Sequence, residues 1–225
     1  MTPQRDKPSE ATTDARTFSD RLGASLPKEV DIVALGVKSK APFQLLCTRE
    51  ALIWRTEELA RNACDALERN DFAAAALLTR GVTETAALVW KLMELLDGRD
   101  TTTPQAMNDQ LMRALAGWKA DPGELPEAYS VLTLVQRMDR VLSGVLHTYA
   151  SLSEIAHPNW SGALGLYGMT DREKYITTFG RGLRNADGNA MMIANALLGS
   201  LGAFEYAYNR ISDVLPTFLT ELESL

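Results

Sequence analysis

Glu154 and His157 stand three residues apart in a segment whose hydrophobic pattern is helical. Residues with this spacing are neighbours on a helix surface, so the carboxylate and the imidazole could share a proton or a ligand. Pro158 follows directly and disfavours helical geometry in the residue before it. We therefore expect His157 at the end of its helix, where the negative end of the helix dipole favours the charged imidazole.

The residues that follow this histidine allow two interpretations of it. In the first, His157 caps the last carbonyl groups of the helix and fixes the turn into Asn159 and Trp160. In the second, it is a proton donor or ligand-binding group at the mouth of a pocket walled by Trp160 and Tyr167. Both interpretations stay open, and Glu154, His157, Asn159 and Trp160 are the candidate binding residues of this segment.

The sequence predicts neither a metal centre nor a cofactor. Dimetal sites in helical bundles use the Glu-x-x-His pair twice, and a glycine stands three residues before the only other histidine, His147. Cys47 and Cys64 lack C-x-x-C spacing and are 17 residues apart, which is about 25 Å along one predicted helix. Phosphate-binding loops, dinucleotide-binding glycine motifs, H-E-x-x-H and nucleophile elbows are all missing from the sequence.

Arg140 and His147 lie seven residues apart, or about two helical turns. Arginine can hold a phosphate, and histidine can move a proton near neutral pH. The spacing resembles the R-x4–6-H motif of the HEPN superfamily, small helical proteins that include many bacterial toxin and phage-defence ribonucleases. The resemblance implies a homodimer in which the arginine and the histidine act on RNA in a cleft between the protomers. The alternative interpretation is the solvated face of one helix.

A second resemblance joins two predicted helices and covers about residues 45–180. The sequence is similar to a group of uncharacterised bacterial helical proteins that carry Arg-x3-Glu on one helix and Tyr-x3-Ser-x3-His-Pro on another. The resemblance implies a polar cluster between these helices and a fold near the HEPN-like bundles. Without it, the first pair would indicate only a local ion pair on a helix surface. The matching positions are Arg80, Glu84, Tyr149, Ser153, His157 and Pro158.

Hydrophobic periodicity predicts the elements that must position these residues. The second of four predicted helices is apolar around most of its surface and should therefore be central. A small β-hairpin or extended lobe is predicted within residues 162–180, then a helix from residue 187 or 189 to about 213 and a short helix from Pro216. The fold class is thus all-α: a four- to five-helix bundle with a small β-hairpin after the fourth long helix. The four helices are expected over residues 44–69, 71–96, 104–118 and 128–156.

The polar, threonine- and proline-rich residues 1–18 are predicted to be a disordered tail, and residues 19–225 to form a single helical domain. Residues 128–156 are predicted to form one continuous amphipathic helix. Its apolar face includes Leu134 and Met138, and its polar face includes Arg140 and His147. The roles assigned to both histidines depend on that helix being unbroken.

Composition narrows the classes of function. The chain has 225 residues, 46% of them hydrophobic, and a net charge of −6, which argues against a uniformly basic nucleic-acid binder. The N-terminal segment lacks the apolar core of a secretory signal, and no apolar run reaches the ~20 residues of a membrane span. A cytoplasmic protein is therefore predicted.

Two functional hypotheses follow. The first is a HEPN-like ribonuclease of the toxin–antitoxin or phage-defence type, acting on RNA as a homodimer through Arg140 and His147. The second is a non-enzymatic binding or assembly module with a protein or small-ligand partner, in which the polar cluster around His157 is structural or holds the ligand. A two-fold dimer that brings two Arg140 and His147 faces together would favour the first.

Overall fold

The computed structural model of the chain describes residues 7–31, 33–35, 40–98, 104–119 and 123–223. In these ranges the fold is helical with one small β-hairpin, which confirms the predicted class. The structure has more helices than predicted, because several are short. The α-helices are α1 (Pro8–Ala24), α2 (Ala41–Glu68), α3 (Phe72–Leu96), α4 (Pro104–Ala116), α5 (Val131–Asp139), α6 (Val145–Ala156), α7 (Leu164–Tyr167) and α8 (Ala186–Glu223). A 3-10 turn spans Val33–Leu35, and the hairpin strands are β1 (Gly168–Asp171) and β2 (Ile176–Phe179).

Helix α3 is the centre of the fold, as its nearly uniform apolar surface predicts. It packs against α2, α8, α5 and α6, and Val82, Ala86, Val89 and Leu92 have no solvent-exposed surface. One of its buried hydroxyls also finds a partner on another helix, since the Thr83 Oγ1 lies 2.8 Å from the Ser200 Oγ on α8. The polar strip of α3 is narrow, so the few charged residues on it are held between neighbouring helices.

Helix α1 corrects the prediction of a disordered tail over residues 1–18. Residues 8–24 are helical and pack against α2 and α8, whereas residues 1–6 lie outside the described residues. The buried side chains are Ala11, Ala15, Ser19 and Leu22, which follow one another at helical spacing. Small residues of this kind allow close helix contact while adding little hydrophobicity, so composition alone hid the helix.

Residues 128–156 do not form one continuous helix, and this prediction is wrong. The chain leaves helical geometry after Asp139 and re-enters it at Val145. Gly144 has a φ of 99°, a left-handed conformation that glycine adopts without strain. The Asp139 Oδ1 then accepts hydrogen bonds from the backbone N–H groups of Gly144 and Leu146, both at 3.0 Å. The carboxylate therefore caps the first turn of α6, where the free N–H groups and the helix dipole favour a negative charge.

The break folds α5 and α6 into a helical hairpin against α3. Val131 of α5 and Glu84 of α3 line the same cleft, and the Tyr149 hydroxyl of α6 donates a hydrogen bond to Glu84. In a continuous helix, Val131 and Tyr149 would be about 27 Å apart. Instead both residues border Glu84, because the chain reverses between them.

The hairpin prediction is confirmed. β1 and β2 pair antiparallel, with Gly168 opposite Phe179 and Asp171 opposite Ile176. Helix α8 begins at residue 186, close to the prediction, but it continues through Pro216 instead of ending near residue 213. Phe218 beyond the proline is 4% exposed, so burial of its ring favours continuation of the helix past the lost hydrogen bond.

Two helices meet the length and composition of a membrane span, namely α3 and residues 186–220 of α8. In each case 56% of the apolar window is buried inside the protein, and the core helix of a soluble protein meets the same criteria.

Candidate functional site

Three of the residues named by the second resemblance form one hydrogen-bonded cluster between α3 and α6. The Arg80 Nε donates to the Glu84 Oε1 and to the Tyr149 hydroxyl oxygen, both at 3.1 Å. The Tyr149 hydroxyl in turn donates to the Glu84 Oε1 at 2.8 Å. The Arg80 guanidinium carbon also lies 5.1 Å from the centre of the Tyr149 ring, within cation–π range. The structure thus brings Arg80, Glu84 and Tyr149 together.

The electrostatics of this cluster follow from its position between two helices. Burial raises the pKa of Tyr149, the hydrogen bond from Arg80 opposes that rise, and the bond to Glu84 adds to it. Burial acts to lower the pKa of Arg80, but the contacts with Tyr149 and Glu84 outweigh it and the net shift is upward. The cluster is therefore most stable with a neutral phenol, a charged guanidinium and a carboxylate acceptor.

Ser153 lies one turn beyond Tyr149 but does not join the side chains of the cluster. Its Oγ donates to the Tyr149 backbone carbonyl at 2.8 Å, a local bond that serine commonly makes within helices. The resemblance predicts that this side chain belongs to the polar cluster, whereas in the structure it bonds to the backbone of α6.

His157 ends α6, as the following proline predicts. Its backbone is extended (φ −84°, ψ 147°), and its N–H donates to the Ser153 carbonyl. The side chain is exposed, and no hydrogen bond joins it to Glu154 in the part of the chain that the structure describes. The Glu154 Oε2 instead accepts a hydrogen bond from the Asn159 amide at 2.6 Å. The Glu-x-x-His pair therefore does not act as a unit.

The turn after His157 is built from backbone contacts. The Asn159 Oδ1 accepts a hydrogen bond from the Gly162 N–H at 3.0 Å. A Cβ atom at Gly162 would lie 2.0 Å from the His157 carbonyl oxygen and 2.4 Å from that of Ile155, so only glycine fits this close approach. Asn159 and Gly162 together fold the chain over the end of α6.

Trp160 projects from this turn and is 62% exposed. The Arg184 guanidinium carbon lies 5.5 Å from the centre of its ring, and a Cβ at Gly165 would lie 2.9 Å from two ring atoms. The ring therefore lies against the backbone of Gly165 and near the Arg184 guanidinium, and it remains largely open to solvent. Tyr167, the other predicted wall, is only half-buried.

Arg140 and His147 are separated by the break between α5 and α6. Arg140 is the residue after the last turn of α5, and His147 lies in the first turn of α6. Both are exposed, and no hydrogen bond or ion pair joins them in the described ranges. They do not share one helix face, which was the geometric premise of the predicted ribonuclease site.

The residues from His157 to Arg184 form what we call the hairpin lobe. Its strand residues are exposed except for the buried Gly168 and the half-buried Thr177, and Ile176 is 58% exposed. It holds four basic and two acidic residues and so has a net charge of +2. The whole chain has a net charge of −6, so the residues outside the lobe carry −8. Its basic residues are Arg172, Lys174, Arg181 and Arg184, and its most exposed aromatic residues are Trp160, Tyr175 and Phe179.

Sequence reasoning named only Trp160 among these exposed aromatic residues. The strand propensity of residues 174–179 predicts the hairpin, but the same aromatic and β-branched residues would suit a buried strand equally well. Exposure is decided by what packs against a strand, and that information is not local. Among the described residues no group of three or more histidine, cysteine or acidic side chains could hold a metal ion.

No protein-family model, curated protein or solved structure matches this chain. The two resemblances are therefore carried by the residue patterns alone, and functional inference depends on the geometry of the surfaces described above.

Proposed function

We propose that the protein binds single-stranded RNA through the hairpin lobe. RNA is also the partner that the HEPN resemblance implies. The proposal is supported by one observation above all, the interleaving of exposed aromatic rings with basic residues in a single lobe of an otherwise acidic chain. Proteins that bind single strands combine a positive surface for the backbone with aromatic platforms on which bases stack.

The geometry of the lobe suits stacking more than packing. Trp160 is held on one side by Gly165 and lies near Arg184, which leaves ring surface open to solvent. Tyr175 is 91% exposed at the tip of the hairpin and Phe179 is 71% exposed in β2. Arginine planes and aromatic faces both stack on bases, and arginine adds a phosphate contact.

Fluorescence anisotropy with a labelled single-stranded RNA oligonucleotide tests this proposal. We expect Tyr175→Asn to weaken binding by about tenfold through the loss of one stacking platform. Asparagine is chosen because Tyr175 has a φ of 54°, a left-handed conformation that asparagine tolerates. Arg172→Gln should reduce the slope of log affinity against log salt by about 1, as expected for a single lost phosphate contact.

The matched control is Arg61→Gln, which removes an exposed arginine from α2, where it pairs with Glu57 at 2.9 Å. Its RNA affinity and salt slope should equal those of the wild type. Lobe variants that bind as tightly as the wild type, or a wild-type protein that leaves the anisotropy unchanged, would contradict the proposal.

RNA cleavage by Arg140 and His147 is a second candidate function. The shared helix face that it was predicted to use is absent, and it is supported by the exposure of both side chains on either side of the turn between α5 and α6. In a gel assay on the same oligonucleotide, this candidate requires cleavage that His147→Ala abolishes and His157→Ala leaves intact. The HEPN resemblance also implies a homodimer, which light scattering would detect as twice the chain mass. Intact RNA with the wild type excludes this second candidate without affecting the binding proposal.

A further inference from the structure

We infer that the cleft between α2, α3, α4 and α5 binds a small organic anion, with a carboxylate or phosphate head and an apolar body. The cleft is separate from the hairpin lobe. Its volume is about 220 Å³, and an apolar cavity of roughly 150 Å³ is enough for a benzene molecule. The size therefore suits one ring or a short branched chain together with its charged head. The apolar wall is formed by Leu52, Leu88, Ala114, Ala128, Val131 and Leu134.

Two arginines on the cleft lining carry unused donors. The Arg55 Nε donates to the Thr85 Oγ1 at 3.3 Å, and the Arg113 Nε donates to the Glu127 carbonyl at 2.9 Å. In the described ranges no ion pair joins either guanidinium to a carboxylate. Their terminal nitrogens are therefore available to an incoming oxyanion, whose geometry the planar guanidinium matches.

Among the described residues, one carboxylate lies on the cleft lining, and it is already engaged. Glu84 accepts hydrogen bonds from Arg80 and from the Tyr149 hydroxyl on its α6 side. Its charge is thus offset by Arg80, which does not line the cleft. The remaining charges among the described lining residues are those of Arg55 and Arg113, so the cleft attracts an anion and disfavours a cation.

The wall that carries Arg113 is fixed before any ligand arrives. The guanidinium carbon lies 4.5 Å from the centre of the Tyr129 ring, and the Tyr129 hydroxyl donates to the Gln110 carbonyl at 3.0 Å. A Cβ at Gly117 would lie 2.3 Å from the Arg113 carbonyl oxygen and 2.7 Å from the Ala128 Cα. This close approach holds the segment after α4 against the start of α5, so little ordering entropy remains to be lost on binding.

The experiment compares four compounds by isothermal titration calorimetry with the full chain. Benzoate and phenyl phosphate carry the anion and the ring, benzamide carries the ring without charge, and inorganic phosphate carries the charge without the ring. We expect saturable binding of benzoate or phenyl phosphate, at least tenfold tighter than that of benzamide or inorganic phosphate. The tighter of the two identifies the head group as a carboxylate or as a phosphate.

Arg55→Gln and Arg113→Gln should each weaken the tighter compound by tenfold or more, while Arg61→Gln leaves its affinity unchanged. Arg55 is exposed and makes one long hydrogen bond, so its loss should not unfold the protein even if that of Arg113 does. Tyr175→Asn should bind the compound as the wild type does, which separates this site from the RNA surface. Equal affinity of the Arg55→Gln variant and the wild type, or equal binding of benzamide, overturns the inference.

Discussion

The protein contains two clusters built from the same three residue types, and one of them borders the cleft between α2, α3, α4 and α5. In each cluster a tyrosine hydroxyl donates to a glutamate, and an arginine lies over the tyrosine ring. The guanidinium carbon lies 5.1 Å from the centre of the Tyr149 ring and 4.4 Å from the centre of the Tyr208 ring. The α3–α6 cluster consists of Arg80, Glu84 and Tyr149, and the α2–α8 cluster consists of Arg49, Glu50 and Tyr208.

The arginine and glutamate side chains of the two clusters differ in exposure. In the α2–α8 cluster the arginine and glutamate side chains are each 11% exposed, and the arginine also donates to the Ser212 hydroxyl at 2.7 Å. In the α3–α6 cluster the corresponding exposures are 29% and 26%, and Glu84 lines the cleft. The same three residue types therefore join two helices in a nearly closed contact in the α2–α8 cluster, and they form part of an open surface in the α3–α6 cluster. Residue types alone do not separate a structural cluster from a binding one.

The largest predicted difference is in the free energy of unfolding. Glu50→Ala removes the acceptor of a nearly buried arginine and of the Tyr208 hydroxyl, so we expect a loss of about 3 kcal/mol. Glu84→Ala leaves Arg80, whose side chain is 29% exposed and reaches water, and the Tyr149 hydroxyl still accepts from Arg80, so we expect a loss of about 1 kcal/mol. Urea unfolding followed by circular dichroism measures both values. Equal losses would show that exposure does not distinguish the two clusters.

A smaller loss of stability is expected from a change in the turn between α5 and α6, which positions Tyr149 of the α3–α6 cluster. Gly144→Ala places a Cβ at a φ of 99°, which we expect to cost about 1–2 kcal/mol. Hydrogen exchange should become faster in α6, which carries Tyr149, while α8, which carries Tyr208, stays protected. Gly199→Ala is the matched control, because Gly199 lies inside α8 with no atom within 4 Å of the new Cβ. That substitution should stabilise the protein by up to about 1 kcal/mol.

Parts of the fold with a local cause were predictable from the sequence. The uniformly apolar α3 had to be central, and the short run at 176–179 had to be a strand. The break after Asp139 was missed because Met138, Leu142 and Val145 continue helical spacing across it. The φ of Gly144 and the cap by Asp139 reveal the reversal, and both are backbone features that hydrophobic spacing does not encode.

The polar clusters and the cleft also divide into contacts that local sequence spacing reveals and contacts that it does not. Arg80 and Glu84 are one helical turn apart, so their pairing is visible in the sequence, and the second resemblance supplied Tyr149. Arg49 and Glu50 are adjacent, a spacing that does not place side chains together on a helix, and Tyr208 lies 158 residues away from Glu50. The arginines of the cleft come from α2 and α4, so no local spacing links them.

The smallest predicted difference between the clusters is in their dependence on alkaline pH. Burial and the hydrogen bond to Glu50 raise the pKa of Tyr208 to about 12, above its ordinary value of 10. Between pH 10 and 12 the unfolded chain releases this proton and the folded chain retains it, so the free energy of unfolding falls as the pH rises. Tyr208→Phe should flatten that fall. Tyr149→Phe should flatten it less. An arginine opposes the pKa rise in both clusters, but at Tyr149 the hydrogen bond from Arg80 outweighs the bond to Glu84. At Tyr208, by contrast, the bond to Glu50 outweighs the opposing charge of Arg49.

Urea titrations at pH 9, 10 and 11 measure this difference, with each variant compared with the wild type at the same pH so that other titrating groups cancel. Phenylalanine keeps the ring under the arginine and removes only the ionising hydroxyl, so a change in slope reports the proton and a constant offset reports the lost hydrogen bond. A larger change in slope for Tyr149→Phe than for Tyr208→Phe would reverse the comparison. It would mean that the cluster beside the cleft holds its phenol proton more firmly than the closed one.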